Sequence, residues 1–287
     1  MTPVKPPARQ DKTSLWNYMR AFRRDILSAQ PPGLYRAWMA EFRTPFFRSY
    51  MVNQPDLIKT VLKTRSADFP KSTRIAEGLR PLLGDSVFLT NGAQWRAQRR
   101  IIDPAFEGGR LREIMPSMQA AANADVDRIE EVRTHDFDIA GLSKMPLLRG
   151  VFREALRLYP TVPMMVRETT CPEAFRDRTL PKGSQVVLSP WHLHRHERLW
   201  DDPDAFDPER YNTENGKYCL RDAFIPFSAG ARVCPGVGFA MIEGPLLIAA
   251  ILRNYRVSMT EHGRPVPVAH LTVRAKDGIW LNFQSRD

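Results

Sequence analysis

Cysteine is scarce in this chain. Cys171, Cys219 and Cys234 are the only three among 287 residues, too few and too scattered for a disulfide framework, so a reducing compartment is expected. No C-x-x-C spacing occurs either, and Cys234 therefore lacks a partner for a tetrahedral zinc or iron–sulfur site. Long hydrophobic runs are missing. No uninterrupted apolar stretch reaches the roughly 18–20 residues that cross a bilayer, and the opening MTPVKPPARQDKTSLW has no apolar segment of the signal-peptide kind. A soluble, cytoplasmic protein without a membrane span is expected. Acidic residues are the minority, which leaves a formal net charge of +10. The arginines are dispersed, as in RAFRRD, QWRAQRR, FREALR and FRDR, and no block of them interleaves with aromatics. Neither helix-turn-helix nor zinc-finger spacing appears, so no nucleic-acid partner is expected. Such dispersed arginine suits internal ion pairs, anionic groups of a ligand, or an acidic protein partner.

Proline and glycine punctuate what is present. Residues 1–12 are proline-rich and predicted to be disordered. A helix is expected over SLWNYMRAFRRDILSAQ, stopped by Gln30-Pro-Pro-Gly33. A strand is expected over Phe46–Val52, then a short helix over DLIKTVLKT. An arginine-rich helix begins at Asn91, and another covers GGRLREIMPSMQAAANADVDRIEEV. The helix Pro146–Tyr159 is stopped by Pro160. Strand-like runs follow at Met164–Glu168 and Ser184–Ser189, then an aspartate- and proline-rich meander, WDDPDAFDPERYN. A last long helix and strands near Tyr255–Met259 and Gly278–Phe283 close the pattern. The division is residues 1–34 as an extension and first helix, 35–145 as an N-terminal part, and 146–287 as a C-terminal part, all within one domain.

The meander leads to Phe227–Gly236, FSAGARVCPG. A cysteine that acts as a thiolate needs nearby positive charge or a metal. Arg232 lies two residues before Cys234, and a helix starting near Pro235 offers its positive end. Gly230 and Gly236 permit tight turning and close approach to an anion or a flat ligand. One thiolate suffices when a porphyrin supplies the other iron ligands. A structural cysteine buried in a turn explains the isolated segment equally well.

This loop resembles the haem-binding loop of the cytochrome P450 family, Phe-x-x-Gly-x-Arg-x-Cys-x-Gly, with Phe227, Gly230, Arg232, Cys234 and Gly236 in the fixed positions. FREALRLYP is similar to the family's Glu-x-x-Arg helix, with Glu154 and Arg157. DPDAFDPERY is similar to its meander, with Arg210 completing a Glu–Arg–Arg network. Gln94–Arg99 matches the Trp-x-x-x-Arg helix through Trp95 and Arg99, and Arg167 aligns with a further propionate-binding arginine. The resemblance implies haem b, with Cys234 as axial iron ligand and Arg232, Trp95, Arg99 and Arg167 at the propionates. It implies a mainly α fold with small β-sheets, a shortened cytochrome P450-like architecture.

The chain also departs from the family. Only 55 positions separate Arg99 from Glu154, where the family carries several long helices, including the one over the distal haem face. The string Ala140-Gly-Leu-Ser-Lys144 has a hydroxyl but no acid to serve as that helix's oxygen-binding motif. The resemblance therefore implies a haem-thiolate monooxygenase acting on a small apolar substrate, with a separate ferredoxin- or flavodoxin-type electron donor. The departure leaves two alternatives open: a haem-binding or peroxide-using protein, and an inactive product of internal deletion. A second copy of the chain is the expected roof for a distal face so exposed. Three histidines in His192-Leu-His-Arg-His196 read as structural or surface residues. A weak metal site on one face of a strand is the lesser alternative. Cys171 and Cys219 read as packing residues.

Overall fold

A computed structural model describes residues 2–10, 13–44, 47–106 and 145–286. The helix expected through GGRLREIMPSMQAAANADVDRIEEV, the segment Ala140–Lys144 and the start of the strand at Phe46 lie outside the described residues.

The described part is helical with four small sheets. Helix α1 (Leu15–Arg24) is capped by Ser14, whose hydroxyl accepts from Asn17 N. It ends earlier than its sequence periodicity predicts, because Asp25 turns extended and its carboxylate accepts from Leu27 N at 3.1 Å and Ser28 N at 3.0 Å. A short side chain that captures local amides in this way competes with helix continuation. Residues 2–10 differ from the disorder expected of them. They form a docked extended segment, with Pro6 buried, Val4 O accepting from Tyr159 Oη, and Lys5 paired to Asp204 at 2.5 Å.

Strands β1 (Met39–Arg43) and β2 (Arg48–Val52) form an antiparallel hairpin. Helix α2 (Pro55–Lys59) continues into a π-helical turn over Thr60–Thr64, and α3 (Thr73–Leu83) and α4 (Gly92–Ile102) follow. Past the undescribed stretch come α5 (Pro146–Leu158), β3 (Met165–Glu168), a hairpin of β4 (Glu173–Phe175) and β5 (Arg178–Leu180), and β6 (Gln185–Leu188). The main sheet runs β1-β2-β6-β3, with β2 parallel to β6 and the other pairs antiparallel. It joins the N-terminal and C-terminal parts of the chain in one sheet. Its central strands are buried on both faces, as a parallel pair requires: Tyr50, Met51, Val52, Val186 and Leu188 are all inaccessible. Ile58, Val61 and Leu62 from α2 and its π turn pack onto them beside Phe69, Phe175, Trp200, Cys219 and Ile225.

Helices α6 (Pro190–Leu193) and α7 (Glu214–Asp222) precede the cysteine loop, and α8 (Val237–Asn254) follows it. Helix α8 starts at Val237, two residues after Pro235. Contrary to the sequence expectation, it is by length and composition alone long and apolar enough to cross a membrane. It is fixed to the body through buried Pro245, Leu246 and Ala249, and Gly244 admits the Phe152 ring of α5 where a Cβ would overlap it at 2.2 Å. Strands β7 (Tyr255–Met259), β8 (Pro267–Ala269), β9 (Val273–Ala275) and β10 (Leu281–Ser285) close the fold as the pairs β7–β10 and β8–β9.

Candidate functional site

The loop from Phe227 to Gly236 is held in its bend by its own backbone. Ser228 and Gly230 have φ of 63° and 66°, Val233 N donates to Gly230 O at 3.1 Å, and Cys234 N donates to Phe227 O at 2.9 Å. Cys234 is left exposed at the tip and Phe227 is half-buried beneath it. The two glycines serve different ends. A Cβ on Gly230 would lie 2.0 Å from the Leu62 carbonyl oxygen, so this glycine lets the loop rest on the π turn after α2. Its φ of 66° supplies the tight turning expected of it. Gly236 has an ordinary φ of −78° and keeps open the space between the Phe106 ring, 3.5 Å from its absent Cβ, and Cys234 Sγ, 3.9 Å away.

Beside this loop the structure gathers four cations. Trp95 and Arg99 stand one turn apart on α4. Around the Trp95 indole lie Lys71 Nζ at 5.6 Å, Arg232 at 5.4 Å and Arg99 at 5.9 Å from the ring centroid. Arg167, on β3, joins them because its backbone bridges that of Lys71. Arg99 Nη1 donates to Val233 O at 2.8 Å, tying α4 to the residue before Cys234. Arg232 Nη1 donates to Ser66 O at 2.7 Å, and Lys71 Nζ donates to the carbonyls of Val87 and Thr90. Arg99 has an acidic neighbour, Asp103, at 2.7 Å. Lys71, Arg167 and Arg232 have none among the described residues, and the buried Nε of Arg167 and of Arg232 has no hydrogen-bond partner.

That arrangement is electrostatically unfavourable by itself. Burial, and then the guanidiniums of Arg167, Arg232 and Arg99, pull the Lys71 ammonium down to about 7. Burial and Arg232 pull Arg167 to about 10, and burial lowers Arg232. Buried like charges with orphaned donors call for an anion of matching number. Arginine forks are suited to planar carboxylates, so these residues fit a flat group carrying two carboxylates beside Cys234. Lys71 is the member that sequence reasoning missed. A single lysine in FPKS has no spacing to signal it, and only the fold brings it to Trp95.

Behind the loop, Glu154, Arg157 and Arg210 meet in one buried network. Glu154 accepts from Arg157 Nη2 at 2.7 Å, Arg157 Nε at 2.8 Å, Arg210 Nε at 3.0 Å, Asp207 N at 3.0 Å and Tyr211 Oη at 2.9 Å. Burial raises its pKa, but the hydrogen bond and charge of Arg157, the Asp207 amide and Arg210 outweigh it, and the net direction is down. Arg157 spends its remaining donors on the carbonyls of His194, Pro203 and Ala205. Tyr211 was also invisible to motif reading. Its hydroxyl is pushed up by burial and then by the Glu154 charge, so it stays a donor.

The histidines lie on α6 and the turn after it, not on a strand. Each has its own structural partner. His192 Nδ1 meets Ser189 Oγ at 2.8 Å, and His196 stacks on Trp38 at 4.4 Å. His194 Nε2 accepts from Ile225 N at 2.9 Å, which leaves its Nδ1 as the donor to Arg157 O at 3.2 Å. Burial first, and nearby charges second, drive the three to about 3, 3 and 4, so they stay neutral. His194 thereby links the Arg157 backbone to the approach of the cysteine loop. Among the described residues no group of acidic, histidine and cysteine side chains could hold a metal ion by itself. Cys219 is buried with Sγ near Leu199 O. Cys171 is exposed, with Sγ 3.2 Å from Glu173 Oε1.

Comparison with known proteins identifies the family and the fold. The family model Cytochrome P450 matches residues 45–142 and 115–283. Curated relatives include mouse cytochrome P450 4A10, 39% identical over 144 residues, and rat cytochrome P450 4B1, 40% identical over 158. These matches cover 50% and 53% of this chain but only 28% and 31% of the relatives, so the chain spans under a third of their length. Among solved structures, retinoic acid-bound cyanobacterial CYP120A1 superposes with a TM-score of 0.76 at 14% identity, covering 100% of both chains. CYP175A1 from Thermus thermophilus gives 0.71 at 18% identity, covering 99% of this chain and 100% of its own. These structures carry the fold. With haem b as the cofactor that this membership implies, the chain belongs to the cytochrome P450 family.

Proposed function

We propose that the chain is a haem-thiolate oxidoreductase of monooxygenase type, acting on a small apolar substrate on the cytosolic side. The supporting observation is the cation cluster: Lys71 and Arg232 over Trp95, with Arg167 bridged to Lys71, the buried Nε of both arginines without a partner and no carboxylate paired to the three among the described residues, and with Arg232 itself in the Cys234 loop. In this reading Cys234 would ligate the haem iron through its thiolate, and the haem, when bound, would supply the iron for oxygen chemistry. Arg167, Arg232, Arg99 and Lys71 would hold its two carboxylates, with Trp95 packed among the side chains of Lys71, Arg99 and Arg232. Phe227 O holds the Cys234 amide, and Gly236 would keep the approach to the sulfur clear. Glu154, Arg157 and Arg210 do no chemistry. They hold the meander and, through His194 and Ile225, fix the position from which the loop starts.

Electrons come from a separate ferredoxin- or flavodoxin-type protein, and the net charge of +10 suits an acidic donor. Self-association that covers the exposed Leu247, Ile251 and Leu252 of α8 belongs to the same reading. The short span of 55 positions between Arg99 and Glu154 favours one second reading, a peroxide-using haem protein, because it leaves little chain to roof the distal face. The deciding experiment is the absorption spectrum of the haem-supplied chain, reduced and exposed to carbon monoxide, beside Cys234→Ser. A strongly red-shifted Soret band lost in the variant is expected. A chain that takes up no haem, or a spectrum indifferent to Cys234, overturns the proposal. Turnover with an electron donor against turnover with peroxide then separates the two readings.

A further inference from the structure

Asn91 stands at the N-cap of α4, where a side-chain oxygen of its type ordinarily accepts from the helix's own first amides. It makes no such bond. Its carboxamide is turned on a residue 20 positions earlier: Oδ1 accepts from Lys71 N at 3.0 Å, and Nδ2 donates to Lys71 O at 3.0 Å. A side chain that leaves its capping position forgoes about 1 kcal/mol of helix stabilisation, so the diversion points to a second role. The loop ahead of α4 completes the enclosure of the lysine. Val87 O and Thr90 O accept from Lys71 Nζ, the second at 3.1 Å. That loop is tied back to α4 by Gln98, whose Nε2 donates to Asp85 O at 2.6 Å and whose Oε1 accepts from Thr90 Oγ1. Trp95, Gln98 and Arg99 stand at i, i+3 and i+4, on one face of the helix. The helix that carries the ring and the guanidinium therefore also holds Lys71 at both ends, its backbone through Asn91 and its ammonium through the loop that Gln98 anchors.

We infer that Asn91 is a positioning residue of the cation cluster: its carboxamide, with Gln98 behind the loop, keeps the Lys71 ammonium beside Trp95, where a carboxylate of a bound haem would meet it. Such a clamp is needed because the seat is unfavourable to the lysine alone. The charges of Arg167 on β3, Arg232 in the cysteine loop and Arg99 on α4 all act against its ammonium, and a lysine stem is long enough to carry a freed ammonium out to water. The two hydrogen bonds on the Lys71 backbone fix where that stem starts, and the carbonyls of Val87 and Thr90 fix where it ends. Asn91 and Gln98 act only through Lys71. The role assigned to the lysine rests on the haem reading, whereas the clamp belongs to the haem-free chain and is testable there.

The test is a double-mutant cycle on haem affinity, read by absorbance titration of the full chain: wild type, Asn91→Ala, Lys71→Met, and the two changes together. Gln98→Ala runs through the same cycle, so that a folding defect in Asn91→Ala does not decide the matter, and circular dichroism melts screen every variant. Below about pH 7, where Lys71 is charged, Asn91→Ala is expected to weaken haem binding about tenfold beside Lys71 and less than about twofold beside the Lys71→Met change. It should also remove the fall in affinity that wild type shows at higher pH. An equal loss in both backgrounds would mean that Asn91 serves the local fold alone, and overturns the inference. A wild-type chain that takes up no haem defeats the haem reading only. The clamp is then decided on the haem-free chain, where Asn91→Ala should abolish, as Lys71→Met does, the rise in urea midpoint between about pH 7 and about pH 10. A rise of wild-type size in Asn91→Ala overturns the inference there.

Discussion

Replacing Glu154 by glutamine isolates what the buried network contributes. The carboxylate accepts five hydrogen bonds, three on Oε1 and two on Oε2, and both its arginine partners are buried with it. Glutamine has the same shape but offers one acceptor oxygen and brings an amide N–H₂ to the other position. If the amide nitrogen takes the Oε2 place it opposes the Arg157 Nε–H. If it takes the Oε1 place it opposes two guanidiniums and the Asp207 amide. Either way two buried positive charges lose their counter-charge. Breaking a buried pair from one side costs about 3–5 kcal/mol, whereas Tyr211→Phe, which removes one hydrogen bond to a charged group, costs about 1.5–3 kcal/mol. With a urea slope of about 3 kcal/mol/M for a chain of this size, the first change moves the midpoint down by about 1–1.7 M. Urea melts of the haem-free chain followed by circular dichroism read this directly, with the slope checked for constancy. A Glu154→Gln midpoint within about 0.3 M of wild type would mean that the network is satisfied by water or by rearrangement, and the scaffold role assigned to it would be wrong.

Other outcomes follow from the same geometry. Gly230→Ala forces a Cβ to within 2.0 Å of the Leu62 carbonyl at a φ of 66°, so a loss of at least about 3 kcal/mol is expected, a drop of about 6 °C or more in Tm. An unchanged Tm would show that the loop does not rest on the π turn. Lys71 is a base whose pKa is lower in the fold, about 7, than in the unfolded chain. Its charged form is disfavoured by folding, and the haem-free chain should gain stability as pH rises from 7 towards about 10. Urea midpoints across that range test this, and Lys71→Met should flatten the gain. A ligand with two carboxylates restores the Lys71 proton, so haem affinity, followed by absorbance titration, should fall above pH 7 in wild type and much less in Lys71→Met. Glu154 has the opposite sign. Its pKa is lowered in the fold, so its contribution is present above the normal carboxylate value and lost as pH falls below it. Acid unfolding monitored by tryptophan fluorescence should therefore begin at higher pH in Arg210→Gln than in wild type.

Much of this was legible in the sequence because fixed spacings carry fixed geometry. Glu154 and Arg157 at i, i+3 had to share a helix face, and the bend at Gly230 follows from its residue type, whereas the positive φ of Ser228 does not. The position of Arg210 became readable only through the family's meander, since nothing local joins it to Glu154. What was not legible depends on long-range contact. Lys71 and Tyr211 owe their roles to neighbours far away in the chain, and neither lies in a periodic pattern. Helix α3 was passed over, as Pro81 near its end and Gly78 within it weaken the helical signal. The tight turn at Gly230 is readable from the residue type, whereas its contact with the Leu62 carbonyl is a long-range feature with no local signal. Residues 2–10 have the composition of a disordered tail and are nonetheless held by Lys5, Pro6 and Val4 against the body.

The parallel pairing of β2 with β6 bears on how such a chain tolerates rearrangement of its middle. Ser49 pairs with Gln185, roughly 140 positions later, so the sheet closes a very long loop whatever that loop contains. The entropy of such a closure grows only with the logarithm of loop length, about 0.6 kcal/mol for each doubling. Halving or doubling the intervening stretch thus barely alters the thermodynamic balance of the sheet. It changes instead the time needed for the two ends to meet, because a contact this distant in sequence forms late. A protein joined in this way is permissive to excision and insertion between its two halves at equilibrium, while its folding rate records every such event.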